Sequence, residues 1–182
     1  MANWYKDQLT NKNFLSPIGF VFLLDKAKKS SFLCQKANLP NMMLGDINIP
    51  TRGLVPIPVE GNMKYSDLTI EFIVDEDLRN YMEIHNWMRA LGTPQDLGER
   101  NVWQKEWEED PSEDSRFSDA TLQVLNNNNI ANFDVIFKQL FPVDLSSIPF
   151  DVAQGDNNFL TASATFRYIL YEIRNVNTVV RR

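Results

Sequence analysis

Residues 63–92 constrain the fold most, because the spacing of their apolar side chains changes from that of a strand to that of a helix. Apolar and polar residues alternate over residues 68–74, which predicts a strand with one buried face. From Leu78 to Leu91 the apolar residues recur at helical spacing, which predicts an amphipathic helix. Asp75 is the predicted N-cap of this helix, and Gly92 is its predicted left-handed C-terminal residue. The segment is therefore predicted to be a strand that turns at an acidic corner into a helix.

The remaining segments favour strands and loops. At 182 residues the chain fits one domain, with an N-terminal arm over residues 1–13 and a polar tail over residues 175–182. A lysine-rich turn, a run of asparagines and a proline-containing connector over residues 138–150 separate the other apolar runs. The strands predicted from these runs are residues 18–24, 31–37, 120–125, 133–137 and 159–173.

Residues 41–62 are predicted to form a long projecting hairpin, with arms at 42–49 and 54–59. Four prolines lie at or within its ends, and each removes a backbone donor, which excludes a central strand of a sheet. Such an arm cannot bury its own apolar residues, so these either fold back on the domain or contact another subunit. The residues predicted to make inter-subunit contact are Met42, Met43, Leu44, Ile47, Ile49, Val55 and Ile57.

An acidic insert loop is predicted over residues 93–118. Trp103 and Trp107 are spaced so that both indoles would lie on one face of a short helix. Two interpretations remain open for this loop. The tryptophans either cover the edge of the core beneath a solvated loop, or they form a contact arm for another protein.

The composition argues against several classes of function. A net charge of −6 disfavours a protein that grips nucleic-acid phosphates. Cys34 is the only cysteine, and the only histidine, His85, lies on the apolar stripe of the helix, so neither predicts a metal or nucleophilic site. No glycine-rich phosphate loop occurs, and no apolar run approaches the roughly twenty residues that span a bilayer. We therefore expect a protein that is not an enzyme, binds no cofactor and does not insert into a membrane.

Four stretches carry a family resemblance: residues 32–40, which end in an Ala-x-Leu-Pro corner, residues 65–87, residues 140–142 and the terminal strand over residues 161–171. In this order they resemble the tail tube proteins of contractile-tailed bacteriophages, the inner-tube family of myoviruses. The type VI secretion tube protein is a more distant resemblance. The resemblance implies a mainly β (α+β) fold, in which two packed antiparallel sheets form a β-sandwich or half-barrel flanked by one α-helix.

The resemblance also implies a structural protein of the virion tail, assembled in the host cytoplasm. Six copies would close into a ring, and stacked rings would form the inner tube through which the genome is delivered. The implied partners are further copies of the chain, the tail sheath protein, baseplate initiator proteins, the tape-measure protein, a tail terminator and passing DNA that is not bound specifically. A baseplate tube-initiator protein that forms a single ring, a secretion-system tube protein and an unrelated binding module are the alternatives.

The last expectation concerns the lumen of such a tube. In the terminal strand and in the strand before the helix, apolar residues need burial, so the alternate polar residues occupy the opposite face. This face either lines the channel, meets solvent on the outside or lies under the helix. The residues predicted to line the lumen are Thr69, Glu71, Thr161, Ser163, Thr165 and Arg167.

Overall fold

The computed structural model describes residues 13–53, 55–96, 98, 100, 116–151 and 159–176. Strands dominate the described chain. The elements in chain order are β1 (Phe20–Leu24), α1 (Lys28–Phe32), β2 (Cys34–Ala37), β3 (Met42–Ile49), β4 (Ile57–Tyr65), β5 (Leu68–Ile73), α2 (Arg79–Gly92), β6 (Ser118–Leu125), β7 (Ala131–Leu145), β8 (Thr161–Arg167) and β9 (Leu170–Asn175).

Two antiparallel sheets share the long strand β7. The first sheet has the order β1-β6-β7-β9, and the second has the order β7-β8-β5-β2. Strand β7 passes from one to the other at Gln139, whose φ is 52° and whose backbone N–H donates to Asp119 Oδ1 at 3.0 Å. This bend lets one continuous strand serve both layers. The predicted class, two antiparallel sheets with one main helix, is confirmed, and the arrangement is consistent with a β-sandwich rather than a closed barrel.

Within the part of the chain that the structure describes, one hydrophobic core lies between the two sheets. Alternate residues of the central strands point into it, as the period-2 patterns predict. Helix α2 adds Ile84 and Trp87, both fully buried, and the rings of Trp87 and Phe166 lie 6.2 Å apart. The remaining core side chains are Phe22, Leu24, Ala27, Leu68, Ile70, Phe72, Ala120, Leu122, Val135, Phe137, Leu140, Ala162 and Ala164.

The corner between β5 and α2 differs from the prediction. Asp75 is not the N-cap, because Leu78 occupies that position with a left-handed φ of 57° and α2 has no side-chain cap bond. Instead the buried Asn80 holds the corner. Its amide donates to the Ile73 carbonyl at 2.7 Å and accepts from the Asp75 N–H at 3.2 Å. The helix ends one residue later than predicted, so Thr93 rather than Gly92 is left-handed.

The segment between β1 and β2 also differs from the prediction. Helix α1 replaces the predicted turn and the start of the predicted strand over residues 31–37. It docks on α2, where the Ser30 hydroxyl donates to the Asn80 carbonyl at 2.8 Å. The Lys29 N–H donates to the Glu83 carboxylate at 3.1 Å, while burial raises the pKa of that carboxyl. These contacts with α2 stabilise α1. They join residues far apart in the chain, which is why the local sequence pattern did not predict this helix.

The last third of the chain departs from prediction in two places. The predicted terminal strand over residues 159–173 is two strands, because the chain leaves β8 after Arg167 and pairs again with β7 as β9. The predicted connector over residues 138–150 is instead largely strand, since β7 continues to Leu145. Pro142 is tolerated there because it lies in an edge segment at a register shift.

Candidate assembly surfaces

The hairpin formed by β3 and β4 projects from the sandwich as a separate two-stranded sheet. Its strands pair with each other, from Met42 opposite Tyr65 to Ile49 opposite Ile57. Every residue of β3 is exposed, and Ile47 keeps 59% of its surface. The structure thus brings the predicted contact set together on one exposed arm, although its contact with another subunit stays a prediction. The exposed members of that set are Met42, Met43, Leu44, Ile47, Ile49, Val55 and Ile57.

The hairpin exposes apolar side chains on opposite faces of its two halves. The apolar face changes at a register shift between Leu44 and Asp46, where Gly45 lies against Gly61. A Cβ atom at Gly61 would lie 2.9 Å from the Gly45 carbonyl oxygen, so only glycine permits this approach of the two backbones. By strand alternation, the base patch consists of Met42, Leu44, Met63 and Tyr65, and the tip patch consists of Ile47, Ile49, Ile57 and Val59.

A cluster of tyrosines anchors the base of the hairpin. The ring of Tyr65 lies 5.9 Å from that of Tyr168 and 5.4 Å from that of Tyr171. The Tyr168 hydroxyl donates to the Ser66 carbonyl at 2.9 Å, and the Tyr171 hydroxyl reaches the Pro40 carbonyl at 3.5 Å. Burial, with the neighbouring tyrosines, raises the pKa of Tyr168. Both ends of the hairpin are therefore fixed to the β8–β9 corner.

The predicted lumen residues lie together on the outer face of the second sheet. Thr69 pairs with Thr165 and Glu71 pairs with Ser163 across β5 and β8, with Thr161 and Arg167 at the ends of β8. Helix α2 packs against the other face of this sheet, where Phe166 lies, so the helix does not cover these residues. The structure therefore assembles one continuous polar face. Its exposure to a channel stays a prediction.

The charged side chains of this face are paired. Lys36 Nζ lies 3.3 Å from the Glu71 carboxylate, and Arg167 Nε lies 3.3 Å from the Asp67 carboxylate. The four side chains keep between 42% and 73% of their surface exposed, so these pairs contribute little to stability. Their consequence is a surface of small hydroxyl groups on which neither sign of charge dominates.

Three chemical features of the described residues bear on function: metal-binding groups, the single thiol and membrane-spanning helices. They contain no group of three or more histidine, cysteine and acidic side chains placed to hold a metal ion. Burial raises the pKa of the Cys34 thiol to about 11, which keeps it protonated and weakly nucleophilic. None of the helices in this part of the chain is long and apolar enough to cross a bilayer. Trp103 and Trp107 lie outside the described residues.

Sequence reasoning missed two features of these surfaces. The tyrosine cluster joins residues from distant parts of the chain, so no local spacing reveals it. The exposure of Phe32 at 88% follows from α1, which was not predicted. Phe32 lies within the predicted strand over residues 31–37, so no local spacing marked it as exposed.

Comparison with known proteins gives one family and one curated relative. The family described as phage tail tube protein matches residues 12–174. The tail tube terminator protein of Enterobacteria phage T4 is 26% identical over 118 residues, which are 64% of this chain. The matched region spans 61% of the length of that relative.

Solved structures show the same fold at low sequence identity. One is a chain of the sheath–tube complex of PVC, an extracellular contractile injection system, in its extended state. The match has a TM-score of 0.59 and 13% identity, and it covers 91% of this chain and 94% of that chain. Another belongs to the tube-terminating cap of the anti-feeding prophage, with a TM-score of 0.61, 12% identity and coverage of 97% and 100%.

Proposed function

This chain belongs to the phage tail tube protein family, and from that premise we propose that it forms hexameric rings which stack into the inner tube of a contractile tail. Family membership makes it a structural protein of the tail tube or tube-terminator type. The observation that carries the proposal is the exposed hairpin. The seven apolar residues predicted to make inter-subunit contact keep 49–85% of their surface exposed, which favours a protein partner, and a polymer of identical subunits supplies one.

The second sheet supports closure into a ring. Its two edges, β2 and the β7 segment from Phe141 to Leu145, each pair with a strand on one side only within the described residues. Open edges are prone to pair with other chains, and joining them to identical neighbours removes that hazard. Because β2 and β7 are different surfaces, the contact is head-to-tail and closes when the rotation between copies completes a circle.

The outer face of the second sheet suits the wall of a channel for DNA. A wall rich in lysine and arginine would bind passing phosphates through release of counterions. Here the basic Lys36 and Arg167 are each paired with a carboxylate, and the remaining residues are small and polar. The proposed lumen therefore lets DNA pass without specific binding. The residues proposed to line it are Thr69, Glu71, Thr161, Ser163, Thr165 and Arg167.

We place the assembled protein in the virion tail. Its proposed partners are the sheath protein outside the tube, baseplate initiator proteins at one end, a tail terminator at the other and the tape-measure protein inside. This assignment rests on family membership and on the fold shared with a sheath–tube complex. Delivery of the genome through the tube is part of the same proposal.

A tube terminator is the second candidate function. It is favoured by the 26% identity to the terminator of phage T4 and by the fold shared with a tube-terminating cap. A terminator differs from a tube subunit in one physical respect. It binds the end of a tube through one face of its ring, and its other face does not accept a further ring.

Negative-stain microscopy of the purified protein tests both candidates. Long tubes of constant diameter are expected if both faces of the ring associate. Single rings that never stack would overturn the tube assignment and leave a terminator or a baseplate initiator, of which the 26% identity to the phage T4 terminator favours the terminator. A protein that remains monomeric at high concentration in sedimentation velocity would contradict both.

Thiol labelling tests the lumen. Cysteines replace Thr69 and Thr165 one at a time in a Cys34→Ser background. In assembled particles we expect a small maleimide to react while a bulky one is excluded. The same variants as unassembled subunits are the control, since both reagents should then react. Rapid labelling of assembled particles by the bulky reagent would place this face on the outside.

A further inference from the structure

The outer edge of β1 is open over residues 20–23 and borders an apolar groove, whereas at Leu24 the backbone N–H already donates to Ser31 Oγ at 2.9 Å. In the described residues β1 pairs with β6 and with no other strand. The Asp25 N–H donates to the Asp119 carbonyl toward β6, so the backbone groups of the even-numbered Phe20 and Phe22 point to the open side. Beside this edge lies a groove of about 450 Å³, lined by β1 and by the exposed Phe32. The groove therefore offers both a strand edge and an apolar surface.

The tip of the hairpin has the features of a strand that could fill this groove. Strand β3 presents Ile47 and Ile49 on one face and has no proline, whereas β4 contains Pro58, which cannot donate to a new neighbour. The open part of β1 (residues 20–23) and the tip half of β3 (residues 46–49) both have four residues, so at roughly 3.3 Å per residue each is about 13 Å long. The two edges therefore match in length, and β3 is the strand able to pair.

The charges of the two surfaces are complementary. Behind the tip patch, Asp46 lies directly opposite Glu60, and like charges in such a cross-strand pair repel each other. The segment at the end of β1 carries Lys26, Lys28 and Lys29, and Lys28 lines the groove. Arg52 in the tip loop and Asp25 in the groove offset part of these charges, but the tip remains net acidic and the rim net basic, so the two attract each other over about one Debye length, roughly 8–10 Å.

We propose that the groove beside β1 receives the hairpin tip of a second copy of this chain. Strand β3 of one copy extends the first sheet of its neighbour by pairing with β1, and the tip patch covers Phe32. This inference deepens the proposed function, on which it rests, by naming the receiving surface. Donor and acceptor are different surfaces, so every copy can give one hairpin and receive one, and the contact propagates from subunit to subunit.

Disulfide trapping tests the docking. In a Cys34→Ser background, Ile47→Cys is combined with Phe32→Cys, and both positions are exposed, so folding should be retained. The matched control is Asn48→Cys with Phe32→Cys, because residue 48 lies on the opposite face of the same strand. Under mild oxidation we expect the pair at residues 47 and 32 to give a ladder of covalent oligomers. The control pair at residues 48 and 32 should give no ladder, since a disulfide requires Cβ atoms about 3.5–4.5 Å apart.

The outcomes separate the docking from the proposed function. Particles that assemble normally but give no ladder above the control would overturn the docking and leave the function standing. Covalent oligomers without rings or tubes would support the docking and contradict the function. As a second measure, Lys28→Glu should reduce assembly and Lys28→Glu with Glu60→Lys should restore it. If the Lys28→Glu variant assembles as well as the unmodified protein, the proposed electrostatic contribution to docking is wrong.

Discussion

The sandwich core and the hairpin use the same kind of residue in opposite environments. Ile70 and Ile84 are fully buried, whereas Ile47 and Ile57 keep 59% and 55% of their surface exposed. Complete burial of an isoleucine stabilises a fold by roughly 1.5–3 kcal/mol. The isolated chain gains this free energy in the core and forgoes most of it in the hairpin.

This difference separates stability from assembly. Residues of the core determine whether the chain folds, and they face one another across two layers of the same subunit. The apolar residues of the hairpin contribute little to that core, so their free energy of burial becomes available only when another chain covers them. Substitutions in the core should therefore reduce stability, and substitutions in the hairpin should reduce assembly. Each of the following predictions tests this difference.

The largest effect is expected from Trp87→Ala. The indole is fully buried, packs against Phe166 and donates through Nε1 to the Arg116 carbonyl at 3.2 Å. Truncation leaves a cavity and removes this bond, so the free energy of unfolding should fall by about 3–5 kcal/mol. Equilibrium unfolding in urea, followed by circular dichroism, measures the loss.

Met82→Ala is the matched control on the same helix. Met82 is 46% exposed, so its truncation should change the free energy of unfolding by less than about 0.5 kcal/mol. Equal losses for Trp87→Ala and Met82→Ala would mean that α2 does not present the Trp87 face to the core.

The next prediction concerns the hairpin. Ile47→Asp combined with Ile57→Asp places carboxylates in the tip patch, where they cannot be covered by an apolar partner without a large desolvation cost. We expect assembly to be abolished, while the free energy of unfolding changes by less than about 1 kcal/mol. Sedimentation velocity and urea unfolding measure the two properties on one sample.

Asn48→Asp supplies the control for that pair. It adds a charge to the same strand on the opposite face, outside the tip patch. Assembly should therefore persist. Tubes or rings formed at normal yield by the Ile47→Asp, Ile57→Asp variant would show that the tip patch is not an interface.

The sequence predicted those parts of the core and of the hairpin that produce a local pattern of residues. Alternation predicted β5 with its buried Leu68, Ile70 and Phe72, and helical spacing predicted α2. Prolines predicted the hairpin, because each one excludes a central strand. These features depend on neighbours within a few residues, so a single sequence is sufficient to find them.

Features that depend on how side chains pack and pair in three dimensions were missed or misplaced. Asp75 satisfies the composition rule for an N-cap, yet the buried Asn80 holds the corner because it can reach Ile73 and Asp75 together. Helix α1 exists because α2 offers it partners. The polar residues of β5 and β8 were predicted to share a face, but their register could be given only by the pairing of the two strands.

A smaller effect is expected at the junction between hairpin and sandwich. Tyr168→Phe removes the hydroxyl that donates to the Ser66 carbonyl at 2.9 Å, so the free energy of unfolding should fall by about 0.5–1.5 kcal/mol. Tyr171→Phe removes a longer contact of 3.5 Å and should cost less. A larger loss from Tyr171→Phe would reverse the order in which the two tyrosines hold the hairpin.

The smallest effects compare two glycines, one in each region. At Gly92, the last residue of α2, a Cβ atom would contact nothing within 4 Å, so Gly92→Ala should raise the free energy of unfolding by about 0.4–1 kcal/mol by restricting the unfolded chain. At Gly61 the Cβ atom would lie 2.9 Å from the Gly45 carbonyl oxygen, so Gly61→Ala must push the hairpin strands apart at the bulge. We expect this change to reduce assembly while urea unfolding of the sandwich shifts by less than about 0.5 kcal/mol, because the hairpin projects from the core. A loss at Gly61 as large as that of a core substitution would show that hairpin and sandwich unfold as one cooperative unit, and the separation of stability from assembly would then be wrong.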